Sequence, residues 1–205
     1  MRFVMDTEAF KQYQARIDGL IRREKRLPEN VFKGSLTHFV FIHADDLFHT
    51  QDPFGKMKSF VTSISEERWF LAVVEPDPED YFFRHFGKYS IIEMSVNDTT
   101  DEYRRILLED PGDSPADAIM INSTIMMLAS DSGRWAIYVD QGMELAIAGF
   151  VERELRENFT AAYHPDGMLD VDEAIERVLE PLYEQEKVPE DIRRQLTSNY
   201  GAAKN

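Results

Sequence analysis

Three short apolar runs, separated by short polar turns, constrain the fold of this chain more than any other feature. The runs are TIMMLAS (124–130), RWAIYV (134–139) and MELAIAGF (143–150), and they are joined by the sequences SDSG and DQG. Runs of about four to eight apolar and β-branched residues are typical of strands, and turns of this length join antiparallel neighbours. The sequence therefore predicts an antiparallel meander over residues 124–150.

Further strands and helices are predicted on either side of the meander. Apolar and aromatic runs predict strands over residues 36–43, 69–74 and 89–96. Helical periodicity or helix-start signals predict helices over residues 6–26, 78–86, 99–109 and 150–162, and a last helix that begins at Asp170. Regular alternation of strands and helices is missing, so the order of elements predicts an α+β fold. We expect a mixed or mainly antiparallel sheet of about five to six strands, with an N-terminal helix and C-terminal helices packed on it.

The length of the chain, 205 residues, fits one domain of ordinary size or one domain with a helical appendage. We expect an α+β domain over residues 1–165 and a C-terminal helical segment over residues 166–205 that packs on the same domain. The N-terminal sequence turns polar at Asp6, and no apolar run approaches the roughly 18 residues of a membrane span. A cytoplasmic protein is therefore expected.

Composition excludes one class of chemistry and narrows the choice of partner. The chain has no cysteine, which excludes disulfides, thiolate nucleophiles and cysteine-ligated metal clusters. The net charge is −15, and residues 61–205 hold 30 Asp and Glu against 13 Lys and Arg. Such a surface repels phosphate backbones and anionic lipids, so we expect neither a nucleic acid nor a membrane as partner, and a basic protein is the complementary one. The same charge also favours solubility without any partner.

The common catalytic and nucleotide-binding motifs are missing from the sequence. It contains no GxSxG, no GxGxxG and no Walker sequence, and no histidine lies near a serine framed by glycines. Neighbouring carboxylates such as Glu66 and Glu67 are too frequent in so acidic a chain to indicate glycosidase chemistry. These absences favour a non-catalytic protein, for which no cofactor is expected.

One cluster, in the stretch FIHADDLFHTQD (41–52), has a spacing that suits a divalent metal ion. If the residues after the predicted strand form a helical turn, Asp45, His49 and Asp52 lie at i, i+4 and i+7 on one face, and His43 stands beside them. The alternative is structural, because aspartates after a strand commonly accept hydrogen bonds from backbone amides. The stretch matches no known metal-binding motif, which favours the structural interpretation.

Aromatic residues are concentrated in YFFRHFGKY (81–89). On a helix, Phe82 and Phe86 lie at i and i+4 with Phe83 beside them. Large aromatic side chains usually belong to a core, and these residues would then pack on the sheet. A short helix that is apolar around most of its circumference can instead meet a partner, so Phe82, Phe83 and Phe86 are the predicted partner-binding residues.

The second half of the meander resembles one group of known proteins. RWAIYVDQGMELAIAGF (134–150) is similar to the tryptophan-containing late hairpins of small acidic bacterial α+β proteins, some of which neutralise secreted toxins as immunity proteins. The resemblance is limited to these residues and includes no specific motif, so it does not identify a family.

Charge asymmetry and the missing catalytic motifs lead to one main hypothesis. The chain is interpreted as a non-catalytic acidic protein that binds another protein, with immunity-like neutralisation of a basic partner as one instance. The alternative is a divalent-metal-binding protein or a metal-dependent hydrolase that uses the cluster at residues 43–52.

Overall fold

Seven strands of the computed structural model form a single antiparallel sheet. The structure describes residues 1–49, 51–163, 167–183 and 187–201. The strands are β1 (Arg2–Phe3), β2 (His38–His43), β3 (Arg68–Glu75), β4 (Ile91–Ser95), β5 (Ile125–Ser130), β6 (Trp135–Asp140) and β7 (Leu145–Phe150). Their order in space is β1-β4-β3-β5-β6-β7-β2, and each neighbouring pair is antiparallel. The predicted α+β fold is confirmed. The extra strand, β1, has only 2 residues and is too short to show a period in the sequence.

The predicted meander is confirmed as β5, β6 and β7, in which every residue is buried. A strand covered on both faces needs apolar side chains on both sides, which explains why the three runs are apolar almost throughout. Gly133 has a φ of 71° in the first turn, a conformation that favours glycine. Asp140 accepts a hydrogen bond from the backbone N–H of Met143 (3.1 Å) in the second turn, and burial raises the pKa of this carboxyl.

Helices cover both faces of the sheet. They are α1 (Thr7–Leu20), α2 (Pro53–Ser63), α3 (Arg84–Phe86), α4 (Thr100–Leu107), α5 (Ile119–Asn122), α6 (Arg153–Tyr163), α7 (Val171–Ala174), α8 (Glu180–Leu182) and α9 (Glu190–Tyr200). Helices α1, α7 and α9 contribute to the core on one face, and α2, α4 and α6 to the core on the other. The result is three layers with the sheet in the middle. None of the described helices combines the length and the apolar character needed to cross a membrane.

The N-terminal helix ends at Leu20 and does not extend to residue 26 as the sequence predicts. The chain turns back at this point, and Ile21 pairs with Phe32 in an isolated β-bridge. The basic segment RREKR (22–26), which would form the last turn of a helix that reached residue 26, therefore lies in a loop. Arg26, for example, forms an ion pair with Glu75 on β3 (2.8 Å), which ties the loop to the sheet.

The C-terminal helices pack on the same core as α1. Leu196 and Tyr200 of α9 are buried there. The Tyr200 hydroxyl accepts a hydrogen bond from the Val31 N–H (2.8 Å) and donates one to the Glu29 carbonyl. Leu169 forms an isolated bridge with Phe41 at the outer edge of β2. The end of the chain is thus bonded both to the loop after α1 and to an edge strand.

Candidate protein-binding surface

The four side chains predicted as metal ligands make separate contacts. The Nε2 atom of His43 lies 3.4 Å from a carboxylate oxygen of Glu144, and its Nδ1 accepts a hydrogen bond from the backbone N–H of Asp45 (3.3 Å). His49 lies 3.9 Å from the Asp45 carboxylate. Within the described residues, no group of three or more His, Asp or Glu side chains is arranged to hold a metal ion. The structure thus brings Asp45 close to His43 and His49 but does not join Asp52 to them, and the metal site stays a prediction.

Asp52 links the starts of two helices. It caps α2 by accepting a hydrogen bond from the Gly55 N–H (3.0 Å), and it also accepts one from the hydroxyl of Thr100 in the first turn of α4. A Cβ atom at Gly55 would lie 2.0 Å from the Asp52 carboxylate, so a side chain at this position would displace the capping carboxylate. The Thr100 hydrogen bond is the main cause that lowers the pKa of Asp52.

Replacing Asp52 with alanine is expected to lower the free energy of unfolding by about 0.5–2 kcal/mol, because the cap of α2 is lost. Because folding lowers the pKa of Asp52, the difference in the free energy of unfolding between the two proteins depends on pH. It is fully present above the ordinary aspartate pKa of about 3.9 and shrinks as the pH falls through the folded-state value. Denaturant unfolding of the wild type and Asp52→Ala across this pH range measures the difference. Equal stability of the two proteins near neutral pH would contradict the capping role.

The aromatic segment begins at a capped helical turn. Asp77 accepts hydrogen bonds from the backbone N–H groups of Glu79 and Asp80 (both 2.8 Å), at the start of a π-helical turn (Pro78–Phe83) that continues into α3. The three predicted partner-binding residues differ in how far they are buried. Phe82 is 1% exposed and belongs to the core under the sheet, whereas Phe83 is 37% exposed. Phe86 is partly buried, so only Phe83 and Phe86 reach the surface.

A loop distant in sequence, residues 109–117, lies against the aromatic segment. The Tyr81 hydroxyl donates a hydrogen bond to the Asp117 carboxylate (2.8 Å), and this bond is the main cause that raises the pKa of Tyr81. A Cβ atom at Gly112 would lie 2.4 Å from the Phe86 ring, so the backbone of the loop approaches the ring closely. This neighbour could not be predicted from the sequence, because no local pattern signals a contact between segments so far apart.

We call residues 77–89 and 109–117 together the acidic aromatic surface. Its carboxylates belong to Asp77, Glu79, Asp80, Glu109, Asp110, Asp113 and Asp117. Its two cations are both engaged, since Arg84 pairs with Asp80 (3.3 Å) and Lys88 pairs with Glu109 (2.5 Å). The remaining carboxylates give the surface a negative potential beside accessible aromatic rings, an arrangement complementary to a basic partner.

Two hollows lie elsewhere on the protein, away from the acidic aromatic surface. One, of about 260 Å³, lies at the β1 edge of the sheet, where Glu93 accepts hydrogen bonds from the Tyr13 hydroxyl (3.0 Å) and the Arg2 guanidinium (2.7 Å). The other is an open depression of about 790 Å³ lined by Lys56, Lys58 and small polar side chains of α2. No described histidine lines either hollow.

Comparison with known proteins does not assign the chain to a family. No family model matches the sequence, no curated protein is significantly similar to it, and no solved structure matches it significantly. The acidic aromatic surface must therefore be interpreted from its own chemistry.

Proposed function

We propose that this chain is a non-catalytic binding protein that holds a basic partner protein on its acidic aromatic surface. The observation that carries the proposal is the aromatic residue Phe83, which is 37% exposed on a surface whose carboxylates outnumber its cations. Aromatic rings supply anchoring contact area to an interface, and the charges around them select the partner and accelerate its approach. Neutralisation of a basic toxin, as immunity proteins perform it, is one instance of this function.

The fold supports the proposal by fixing both halves of the surface. The Asp77 cap holds the aromatic turn, and the hydrogen bond from Tyr81 to Asp117 holds the loop beside it. A surface that is already ordered loses little conformational entropy when a partner binds. The same negative potential repels nucleic acids and anionic membranes, so a cationic protein is the partner that the charges favour.

Two variants with the same change in net charge test the proposal. The surface variant carries Glu79→Gln, Asp80→Asn and Asp113→Asn, and the control variant carries Asp172→Asn, Glu176→Gln and Glu190→Gln in the C-terminal helices. All six side chains are exposed. The probe is a short fluorescent peptide of lysine, arginine, serine and leucine, and its dissociation constant is measured by anisotropy at about 0.15 M salt, where distant charges are screened.

The surface variant is expected to bind the cationic peptide roughly tenfold more weakly than the wild type, because several ion pairs are lost together. The control variant is expected to bind as the wild type does. Equal weakening in both variants would show that net charge alone attracts the peptide, and unchanged binding in the surface variant would place the contact elsewhere. Either result would overturn the proposal.

A further inference from the structure

Three aromatic rings form a column that ends at the acidic aromatic surface. Phe10 of α1 stacks on Tyr89 with ring centroids 3.8 Å apart and planes 7° apart. Phe83 stacks on Tyr89 with centroids 4.2 Å apart and planes 9° apart. Phe10 and Tyr89 are each 2% exposed, whereas Phe83 is 37% exposed. Tyr89 covers one face of the Phe83 ring, and the opposite face is turned away from the column.

The middle residue of the column is held by two hydrogen bonds, one from its side chain and one from its backbone. The Tyr89 hydroxyl donates a hydrogen bond to the Thr7 hydroxyl in the first turn of α1 (3.1 Å), and the Tyr89 N–H donates to the Val4 carbonyl (2.9 Å). Gly87 ends α3 with a φ of 66°, which lets the chain turn back so that Tyr89 can stack on Phe83. The outer ring is therefore held in place before any partner arrives.

Acidic side chains outnumber basic ones in the two segments that carry Phe10 and Phe83. Residues 6–11 and 77–89 contribute the carboxylates Asp6, Glu8, Asp77, Glu79 and Asp80, and the cations Lys11, Arg84 and Lys88. Two of these cations, Arg84 and Lys88, are held in ion pairs. Glu79 precedes Phe83 by four positions on the helical turn and has no ion pair among the described residues.

We infer that Phe83 binds an arginine side chain of the basic partner. The arginine guanidinium stacks on the face of the Phe83 ring that is turned away from the column. The inference rests on the proposed function and names the chemistry of the partner at that surface. A guanidinium is planar, weakly hydrated and cationic, so it can stack on the ring and pair with the nearby carboxylates at the same time. A lysine ammonium is not planar and cannot stack on a ring. A nucleic acid could stack a base there, but these carboxylates repel its phosphates.

Two peptides that differ only in having arginine or lysine at every cationic position test this inference. Each is titrated against the wild type, against Phe83→Leu, which keeps an apolar side chain but removes the ring, and against Leu182→Ala. Leu182, on α8, is 38% exposed and is thus a matched control for the loss of an exposed apolar side chain. Thermal melts of all three proteins confirm that each is folded.

The wild type is expected to bind the arginine peptide roughly 2- to 5-fold more tightly than the lysine peptide. Phe83→Leu is expected to bind both peptides equally, and Leu182→Ala to keep the preference. A preference that survives in Phe83→Leu, or that is missing in the wild type, would overturn the inference. If the wild type binds both peptides equally and the surface variant binds both more weakly, the proposed function stands and only the inference about arginine fails. If the wild type binds neither peptide, both fail.

Discussion

Replacing Trp135 with alanine is expected to lower the free energy of unfolding by about 3–5 kcal/mol. Trp135 begins β6 and is 0% exposed. Its ring meets Phe60 edge-on at 5.4 Å, and its indole N–H donates a hydrogen bond to the Glu66 carboxylate (3.1 Å). Alanine would leave a cavity beneath α2 and remove the donor from Glu66, so packing and hydrogen bonding are lost together.

Urea unfolding measures the loss, and Trp135→Phe is the matched control because it keeps a ring in the same place. The control is expected to lose less than Trp135→Ala, since most of the buried volume remains. Fluorescence gives a second measurement, because both tryptophans, Trp69 and Trp135, are buried. Emission typical of water-exposed tryptophan from the folded wild type would contradict the packing of this face.

Replacing Phe60 with alanine is expected to cost a similar amount, about 3–5 kcal/mol. Phe60 lies on α2, is 0% exposed, and meets Phe150 of β7 (6.0 Å) and Phe159 of α6 (5.0 Å) edge-on. It therefore connects two helices with the sheet. Edge-to-face pairs of this kind add to the stabilisation from burial alone.

The neighbouring exposed residue provides the control for Phe60. Ser59→Ala, on the same helix, is expected to change the free energy of unfolding by less than about 0.5 kcal/mol, since Ser59 is exposed. Phe60 and Trp135 are in contact, so the losses of the two alanine variants should not add in the double variant. A small loss in Phe60→Ala, comparable with that of the control, would show that α2 does not pack as the structure has it.

Elements with strong local signals could be predicted from the sequence. The meander has three apolar runs and turn residues between them, and β5, β6 and β7 follow these runs within a residue or two. The last helical segment begins at Asp170 as expected, with a capping box in which the Glu173 carboxylate accepts a hydrogen bond from the Asp170 N–H (3.0 Å). The helical turn predicted to begin at residue 78 does begin there, with Asp77 as its cap. In each case, neighbouring residues decide the local structure.

Other elements depend on partners far along the chain. Helix α1 stops at Leu20 because the chain returns to pair Ile21 with Phe32, which the helical pattern of the segment does not indicate. Helix α2 was not predicted from the sequence, although Asp52 and Pro53 suit a helix start. The metal-ligand spacing over residues 43–52 competes with that interpretation, since it uses the same aspartate.

The candidate site could be predicted only in part. The sequence indicates the aromatic segment and the excess of carboxylates, but periodicity cannot separate the buried Phe82 from the exposed Phe83 on a π-helical turn. The approach of Gly112 to Phe86 and the hydrogen bond from Tyr81 to Asp117 join segments that are distant in sequence. Such contacts arise from the tertiary fold, and no window of the sequence contains them.

The central claim is that a basic partner contacts the acidic aromatic surface, and a chemical-shift map tests it most directly. The ¹⁵N-labelled protein is titrated with the unlabelled arginine peptide, and the amide shifts are followed along the chain. The largest changes are expected within residues 77–89 and 109–117, and at the same peptide concentration they are expected to be much smaller in the surface variant. Changes centred instead on the acidic helices α6, α7 and α9, or unaltered by the surface variant, would contradict the claim.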